Sequence, residues 1–243
     1  MYRGSNFITD DIMDFTFGII TSGNEHKRII DIISSIRFEL PYGSYEIIVV
    51  GGDQLISLGI KWYEFDETIK PNHITKKKNL VAQLATRENI VLMHDYVALQ
   101  PGWFQGFERF GNDWLTCTNK IQNLDGSRFR DFCVIANDAW TDYKDSATPN
   151  FTGDGRLLDY SRKDYNGYVR WGYYSGAYFL AKRQVLLEVP LDEERVWSQG
   201  EDVKISRDIY FKYGAKALAF NPYATVKLLK QKERAPWENM PPI

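Results

Sequence analysis

The sequence predicts an α/β protein built on a mostly parallel central sheet, and three features of its first half indicate this fold. Phe15 to Ile20 is a continuous apolar run with the length of a buried strand. From Ile29 to Leu40 the apolar residues recur at spacings of four, three and four, which places them on one face of a helix. Glu46 to Val50 is a second strand rich in β-branched residues. A strand, a helix and a strand in this order form a βαβ unit, whose two strands are parallel.

Shorter elements continue this pattern along the rest of the chain. A hairpin is expected around Asp125-Gly126, and a polar and aromatic region follows it. We predict further strands near Trp62–Phe65, Ile90–Met93, Gly176–Ala181 and Ala217–Phe220, and further helices near Thr75–Ala85 and Asp202–Tyr213.

The composition excludes several classes of protein. With 243 residues, of which 44% are hydrophobic, the chain can bury a sizeable core and is neither disordered nor fibrous. Aromatic residues make up 15%, which is more than such a core requires, so some of these rings are expected to line a surface. The net charge of -2 creates no global field that would attract nucleic acid, so any anion site must be local.

The cysteines and the apolar segments indicate a cytoplasmic protein. Cys117 and Cys133 are too few and too far apart for a disulfide framework or a metal site, so we expect buried free thiols. No stretch approaches the roughly 20 apolar residues of a membrane span, and the first residues lack the pattern of a signal peptide. Lys230 and Lys232 in the basic tail are expected to be solvated, with contact to a membrane surface as the second interpretation.

Small and polar residues follow the first two strands. The loop Thr21-Ser22-Gly23-Asn24 leads into a helix whose free N–H groups can hold a phosphate or a nucleotide edge. It lacks the glycine motifs of dinucleotide-binding and P-loop proteins, and the alternative is a plain helix cap by Ser22 or Asn24. Asp53 follows the second strand, where it either accepts hydrogen bonds from a base or ribose or is an ordinary turn residue.

His94 and Asp95 come directly after an apolar strand, at the edge where open α/β sheets bind their ligands. One carboxylate together with phosphate oxygens and water is a common way to bind Mg²⁺ or Mn²⁺, and an imidazole suits Mn²⁺ better. The alternative is a helix-capping aspartate beside a packed histidine. The position at the sheet edge favours the functional interpretation.

Two further charged groups begin helices. Glu201 and Asp202 form a carboxylate pair at a helix start, where the dipole stabilises their ionised form, and such a carboxylate can act as a general base. The alternative is that these acidic residues only stabilise the start of the helix, where acids are frequent. The cations of Lys76 to Lys78 are disfavoured at a helix start, and a diphosphate partner would relieve that cost. A solvated charge run is the alternative.

Taken together, these features resemble the GT-A glycosyltransferases, and most nearly the inverting family 2 of sugar-nucleotide transferases. The similarity covers residues 15 to 110 and 172 to 226. Two positions depart from the family pattern: the usual Asp-x-Asp is His94-Asp95-Tyr96, and Gly51-Gly52 replace the acidic pair after the second strand. The matching motifs are Phe15 to Glu25, Val50 to Asp53, Lys78-Asn79, His94-Asp95-Tyr96, Pro101-Gly102-Trp103, Ser175-Gly176-Ala177-Tyr178 and Gly200-Glu201-Asp202.

The resemblance implies a single GT-A domain, with a Rossmann-like, mostly parallel sheet flanked by helices and a smaller antiparallel sheet on the acceptor side. Residues 1–14 would be an arm, 15–113 the nucleotide-sugar half, 114–226 the acceptor half and 227–243 a tail. The aromatic side chains expected near the acceptor cleft are Trp103, Trp140, Trp171, Tyr173, Tyr174 and Trp197.

The resemblance also implies an activity in glycan or glycoconjugate synthesis. A sugar would move from a UDP- or GDP-sugar to a hydroxyl of a carbohydrate or lipid-linked glycan by direct displacement with inversion. Asp202 would be the base, Glu201 would orient the acceptor or replace it, and Asp95 would bind Mn²⁺ or Mg²⁺. The implied donor site comprises Thr21, Ser22, Gly23, Asn24, Glu25, Asp53, Lys76, Lys78, Asn79 and His94, and the implied acceptor site Trp171, Tyr173 and Trp197.

Two other classes of protein remain at this point. A sugar nucleotidyltransferase shares the nucleotide-binding layout, but it usually carries a glycine-rich basic loop after its first strand, and Gly23 with Lys27 and Arg28 is a poor match. A non-catalytic carbohydrate-binding module would explain the aromatic residues without any role for Asp202.

Overall fold

Helices pack on both faces of one large sheet in this computed structural model. The structure describes residues 13–23, 25–52, 59–68, 73–135, 155–160, 172–195, 200–214, 217–234 and 236–242. Five of the aromatic, polar or acidic residues expected in the site lie outside these ranges: Asn24, Asp53, Trp140, Trp171 and Trp197.

The predicted strands and helices occur in the predicted order, and the described residues form further elements between them. The strands are β1 (Phe15–Ile20), β2 (Tyr45–Val50), β3 (Lys61–Tyr63), β4 (Asn89–His94), β5 (Val97–Leu99), β6 (Thr116–Gln122), β7 (Phe132–Ile135), β8 (Gly155–Leu157), β9 (Gly172–Tyr174), β10 (Tyr178–Lys182) and β11 (Leu218–Leu228). The helices are α1 (His26–Glu39), α2 (Ile74–Leu84), α3 (Trp103–Phe110), α4 (Arg183–Glu188) and α5 (Glu201–Tyr213), followed by a 3₁₀ turn at Pro236–Asn239.

The large sheet has the strand order β3-β2-β1-β4-β10-β6-β11-β5. Its first four strands are parallel, with β1 between β2 and β4. Strand β10 runs antiparallel to both β4 and β6, β11 is parallel to β6, and β5 is antiparallel to β11. A separate antiparallel sheet has the order β8-β7-β9. The predicted α/β fold, with a mostly parallel sheet and a smaller antiparallel one, is therefore confirmed.

Strand β1 contributes to both cores because its successive side chains point to opposite faces. Phe15, Phe17 and Ile19 pack in the cluster that includes the apolar face of α1. On the other face Ile20 packs in the cluster that contains Val81 of α2 and apolar residues of α4 and α5. The helical spacing in the sequence predicted the buried face of α1 correctly, since Ile29, Ile32, Ile33 and Ile36 are all buried there.

Part of the aromatic content is core rather than ligand-binding surface. The side chain of Trp103 is 0% exposed, and its ring centroid lies 4.4 Å from that of Phe107 and 5.1 Å from that of Phe15. Its Nε1 donates a hydrogen bond to Tyr178 Oη at 2.9 Å. Tyr174 is also buried, and its ring stacks on that of Phe179 and contacts that of Phe132 at a tilt of 49°. The expectation that Trp103 and Tyr174 lie at an acceptor cleft is therefore wrong, because both rings are enclosed by apolar neighbours.

Both cysteines are buried and unpaired, as predicted. None of the helices in the described ranges is long and apolar enough to cross a membrane.

Candidate functional site

A cavity of about 250 Å³ lies at the carboxyl ends of β1 and β4. This is the edge at which open α/β sheets bind their ligands, and the sequence predicts a ligand site at the same edge. Four separate stretches of the chain line the cavity: the loop after β1, the start of α2, the turn between β4 and β5, and the segment after β11. The lining residues are Ile20, Thr21, Ser22, Ile74, Lys77, His94, Asp95, Tyr96, Lys230 and Lys232.

Asp95 is fixed to the loop after β1. Its Oδ2 accepts a hydrogen bond from Thr21 Oγ1 at 2.8 Å, and its backbone N–H donates to the carbonyl of Ile20 at 3.2 Å. The Thr21 hydroxyl in turn accepts a hydrogen bond from Gly23 N at 3.0 Å. Asp95 begins the short turn between β4 and β5, so it caps no helix. The alternative interpretation of a helix-capping aspartate is excluded, and a rigidly held carboxylate lies at the edge of the sheet.

The two glycines after β2 allow this loop to approach closely. A Cβ atom on Gly51 would lie 2.2 Å from the carbonyl oxygen of Thr21, and one on Gly52 would lie 2.3 Å from Gly23 Cα. Both glycines also have positive φ angles, +97° and +68°, which disfavour other residues. The acidic pair that the resemblance would place at these two positions is therefore sterically excluded here.

His94 is an uncharged imidazole in this site. Burial, and then the positive charges of Lys78, Lys232 and Lys230, hold the pKa of His94 well below its usual range. Its Nε2 atom is buried and has no hydrogen-bond partner among the described residues. An unpartnered buried nitrogen at a cavity wall is a group that a ligand can satisfy.

The three lysines of α2 have three different positions. Lys76 is exposed to solvent. Lys77 is 2% exposed and lines the cavity, where its Nζ donates to the carbonyl of Thr21 at 2.7 Å and pairs with Glu67. Lys78 is fully buried and donates to the carbonyl of Gly176 at 2.7 Å. A solvated charge run therefore describes Lys76 alone. The predicted donor set included Lys76 and Lys78, but Lys77 is the residue of this run that faces the cavity.

Asn79 lies one residue further along α2, and its amide is bonded elsewhere. Its Nδ2 donates to the carbonyl of Leu191 at 2.8 Å and to Glu193 Oε1 at 3.0 Å, while its Oδ1 accepts from Leu191 N at 2.9 Å. The structure therefore places this amide against the segment after α4, outside the cavity lining. Glu25, also in the predicted donor set, is exposed and pairs with Arg28 at 3.3 Å.

The carboxylate pair at the start of α5 packs on the turn between β9 and β10. Gly176 N donates to Asp202 Oδ2 at 2.9 Å, and a Cβ atom on Gly176 would lie 2.6 Å from Glu201 Oε1. The next residue of this turn, Ala177, accepts a hydrogen bond from His94 N at 3.0 Å through its carbonyl. Two residues of one turn therefore connect the acid pair to the cavity wall.

Glu201 has a strongly perturbed carboxyl group. Burial, and then the neighbouring negative charge of Asp202, raise the pKa of Glu201 to about 7, although Lys78 opposes the shift. The Lys78 Nζ lies 4.0 Å from Glu201 Oε1, and burial also lowers the pKa of this lysine. A carboxyl group that titrates near neutral pH can accept or donate a proton under physiological conditions.

The tail lysines Lys230 and Lys232 line the cavity, whereas the sequence predicted solvated side chains. Lys230 Nζ lies 4.1 Å and Lys232 Nζ 4.5 Å from the centroid of the Tyr96 ring. Leu229 N donates to the carbonyl of Tyr96 at 2.7 Å, which brings the segment after β11 to the turn between β4 and β5. Burial, then Lys230 and Arg130, lower the pKa of Lys232 to about 8. Charge spacing along the sequence gives no sign of this contact.

Tyr173 is the described member of the predicted acceptor set. It is 7% exposed and lies opposite Cys133 in the small sheet. Burial raises the pKa of its hydroxyl well above the usual range, so this group stays protonated.

In the part of the chain that the structure describes, the cavity lining does not supply the several protein ligands that usually hold a divalent metal ion. Among the described residues no three His, Cys, Asp or Glu side chains come together to hold one. The lining contains His94 and Asp95 as candidate ligands, and Lys77, Lys230 and Lys232 face the same space. Hard divalent ions prefer several oxygen ligands, and three ammonium groups around one carboxylate oppose their charge.

The fold is that of GT-A glycosyltransferases. The similarity is one of structure, since no family model and no curated protein matches the sequence.

Two groups of solved structures illustrate the similarity. GalNAc-T7, solved with UDP, GalNAc and Mn²⁺, has a TM-score of 0.64 and 15% identity, with 94% of this chain aligned to 46% of that one. S. aureus TarS 1-349 has a TM-score of 0.54 and 14% identity over 90% of this chain and 59% of that one, and it has also been solved with UDP and with UDP-GlcNAc. This chain therefore spans about half to three fifths of these proteins.

Proposed function

We propose that this protein is a glycosyltransferase that moves a sugar from a nucleoside-diphosphate sugar to an acceptor hydroxyl, by direct displacement with inversion. The observation that supports the proposal is that a cluster of lysines and a pair of carboxylates lie at the same edge of the large sheet. Three lysines line a cavity at the carboxyl ends of β1 and β4, and a carboxylate pair packs on the turn that also binds His94. Uridine diphosphate is the first donor nucleotide to test, because the GalNAc-T7 and TarS structures contain UDP or UDP-GlcNAc.

The donor would occupy the cavity. Its diphosphate would lie against the ammonium groups of Lys77, Lys230 and Lys232, with the loop of Thr21, Ser22 and Gly23 beside the nucleotide. Ammonium groups and backbone N–H groups stabilise the negative charge that grows on the departing nucleoside diphosphate. His94 Nε2 supplies a further polar contact. Asn24, Glu25, Asp53, Lys76, Lys78 and Asn79 remain predictions from the resemblance as donor-site residues.

The acceptor would react beside α5. Its hydroxyl oxygen forms a bond to the anomeric carbon while the bond from that carbon to the phosphate oxygen breaks, and the electron pair leaves with the nucleoside diphosphate. Asp202 would take the hydroxyl proton, and Glu201 would orient the acceptor or act in its place. The acceptor would be a carbohydrate or a lipid-linked glycan, bound in part by Trp171, Tyr173 and Trp197.

The test is turnover of a panel of UDP- and GDP-sugars by the wild type, Asp202→Asn and Glu201→Gln. Loss of a general base lowers kcat by about 10²–10⁴-fold, so we expect a loss of this size in Asp202→Asn with donor binding unchanged. Asp208→Asn is the matched control, because Asp208 lies on the same helix and pairs with Lys204 at 2.5 Å. Near-normal turnover by folded Asp202→Asn would remove its assignment as base.

Two further outcomes would change the proposed class of protein. Binding of sugars without transfer or donor hydrolysis would favour a carbohydrate-binding module. Formation of a nucleotide sugar from a nucleoside triphosphate and a sugar phosphate would favour a nucleotidyltransferase.

A further inference from the structure

We propose that Lys230 and Lys232 bind the diphosphate of the donor in place of a divalent metal ion, so that this chain binds its donor without metal. The inference rests on the proposed function, since it specifies how the same cavity holds the nucleoside diphosphate.

The charge of the cavity supports this role. Lys230 and Lys232 both lie on the ring of Tyr96, and neither forms a salt bridge with a described carboxylate. Lys77, by contrast, is already paired with Glu67. The two unpaired ammonium groups thus bring two positive charges to the cavity, which is the charge of one divalent ion. An ammonium group is a common point-charge partner of phosphate.

The carboxylates of the cavity are too few to favour a cation. Asp95 is the one acidic residue among the described residues of the lining, and one of its oxygens already accepts the hydrogen bond of Thr21. A divalent ion beside Asp95 would share the cavity with the two unpaired ammonium groups of Lys230 and Lys232, and like charges repel. A diphosphate carries the opposite charge and is attracted by the same groups.

The two lysines are held in place by the fold. Strand β11 pairs with β5 up to Leu228 opposite Val97, and the hydrogen bond from Leu229 N to Tyr96 follows directly. Further along, Arg234 pairs with Asp125 at 2.9 Å. Both ends of the segment are therefore attached to the rest of the fold without a ligand, which limits its conformations and reduces the entropy lost on binding.

His94 offers an independent sign of a ligand at this place. Its Nε2 is buried at the cavity wall and has no partner in the ranges that the structure describes. The ring already forms a hydrogen bond with the backbone of Gly176, so Nε2 of the neutral imidazole is its acceptor nitrogen, and a hydroxyl group of the donor sugar or ribose can donate to it.

The experiment is calorimetric titration of UDP and of inorganic pyrophosphate, each in EDTA and in Mn²⁺. We expect wild-type affinities in the two buffers to agree within about twofold. In EDTA, Lys230→Met and Lys232→Met should each weaken binding about tenfold, as expected for the loss of one charge-assisted hydrogen bond. The Lys→Arg variants should restore most of the affinity. Lys212→Met is the control, because this exposed lysine at the end of α5 pairs with Glu188 outside the cavity.

The outcomes separate this inference from the proposed function. Binding that requires Mn²⁺ and is lost in Asp95→Asn, or binding that is the same in the Lys→Met variants and the wild type, overturns the metal-free inference and leaves the donor site intact. Absence of UDP and pyrophosphate binding in both buffers overturns the proposed donor site itself. Circular dichroism of each variant confirms that it is folded.

Discussion

The surroundings of Lys232 bring the pKa of its ammonium group into the pH range of ordinary assays. Its ammonium group is partly removed from water and lies near Lys230 and Arg130, while Asp95 provides the one opposing charge that acts on it noticeably. These neighbours lower its pKa to about 8. The residue is therefore charged at pH 7 and largely neutral at pH 9.5.

Because Lys232 loses its proton in this range, we predict that UDP binding weakens at alkaline pH. The ammonium form is required to bind a diphosphate, so affinity should be constant below pH 8 and fall as the pH rises above about 8, where free Lys232 loses its proton. Calorimetric titration between pH 7 and 9.5 measures this. Lys232→Arg should remove the decline, since guanidinium stays charged throughout the range. An unchanged decline in that variant would assign the effect to another group.

Glu201 shows how burial affects stability at the residue scale. The folded-state pKa of about 7 lies above the ordinary value of 4.5, so the folded protein favours the protonated carboxyl. The contribution of this group to stability is complete below pH 4.5 and declines as the pH rises to about 7. A destabilising charge of this kind is typical of a residue retained for function.

The glycine of the turn between β9 and β10 gives a prediction at the scale of elements. A methyl group at residue 176 would press on Glu201 Oε1 and on Asp202 Cβ, which lies 3.3 Å from the added atom. Gly176→Ala should therefore displace the start of α5, lower turnover by at least about tenfold and reduce the unfolding free energy by about 1–3 kcal/mol. Turnover assays and urea unfolding measure the two effects.

Gly43→Ala is the matched control for this variant. Nothing lies within 4 Å of a Cβ at this position, but its φ of +91° strains any other residue. It should cost about 1 kcal/mol of stability while turnover stays normal. Equal losses of turnover in the two variants would mean that general destabilisation, rather than the position of the acid pair, causes the effect.

Elements with a clear local period could be predicted from the sequence. Strands β1, β2 and β4 and helix α1 lie within a few residues of the predicted ranges, because runs of β-branched residues and helical spacing are local signals. The position of Asp95 followed from the same reasoning, since it comes directly after a buried strand.

The side chains that were missed depend on longer-range structure. Lys77 rather than Lys76 faces the cavity because α2 begins at Ile74, and one residue changes the direction of a helical side chain by about 100°. The contact of Lys230 with Tyr96 depends on the pairing of β11 with β5, which no local pattern encodes. Trp103 was misplaced because a count of aromatic residues cannot distinguish core from surface.

At the scale of the whole molecule, the strand order interleaves the two predicted halves of the chain. Strand β10 from the second half pairs with β4, and β5 from the first half lies at the far edge beside β11. The boundary at residue 113 therefore corresponds to no gap in the large sheet. Neither set of strands can complete its hydrogen bonds without the other.

This arrangement predicts one unfolding transition rather than two. Calorimetry should give a single peak whose van't Hoff and calorimetric enthalpies agree. UDP at 100 times its Kd adds about 2.7 kcal/mol to the unfolding free energy, which should raise the Tm by about 5–10 °C for a chain of this size. Two peaks, with UDP shifting only one of them, would contradict the prediction and indicate that the halves unfold separately.

The hydrogen bond from Leu229 to Tyr96 also has a consequence during synthesis. Lys230 follows Asp95 by 135 residues, so at about 5–20 residues per second the ribosome makes it roughly 7–27 seconds later. Until then, β5 lacks its partner strand and the cavity lacks two of its three lysines. A nascent chain that has already formed β1, α1, β2 and β4 therefore cannot yet retain a nucleotide by these groups. Under the proposed function, these groups can bind the donor only after residues 230 to 232 have been made and have left the ribosome.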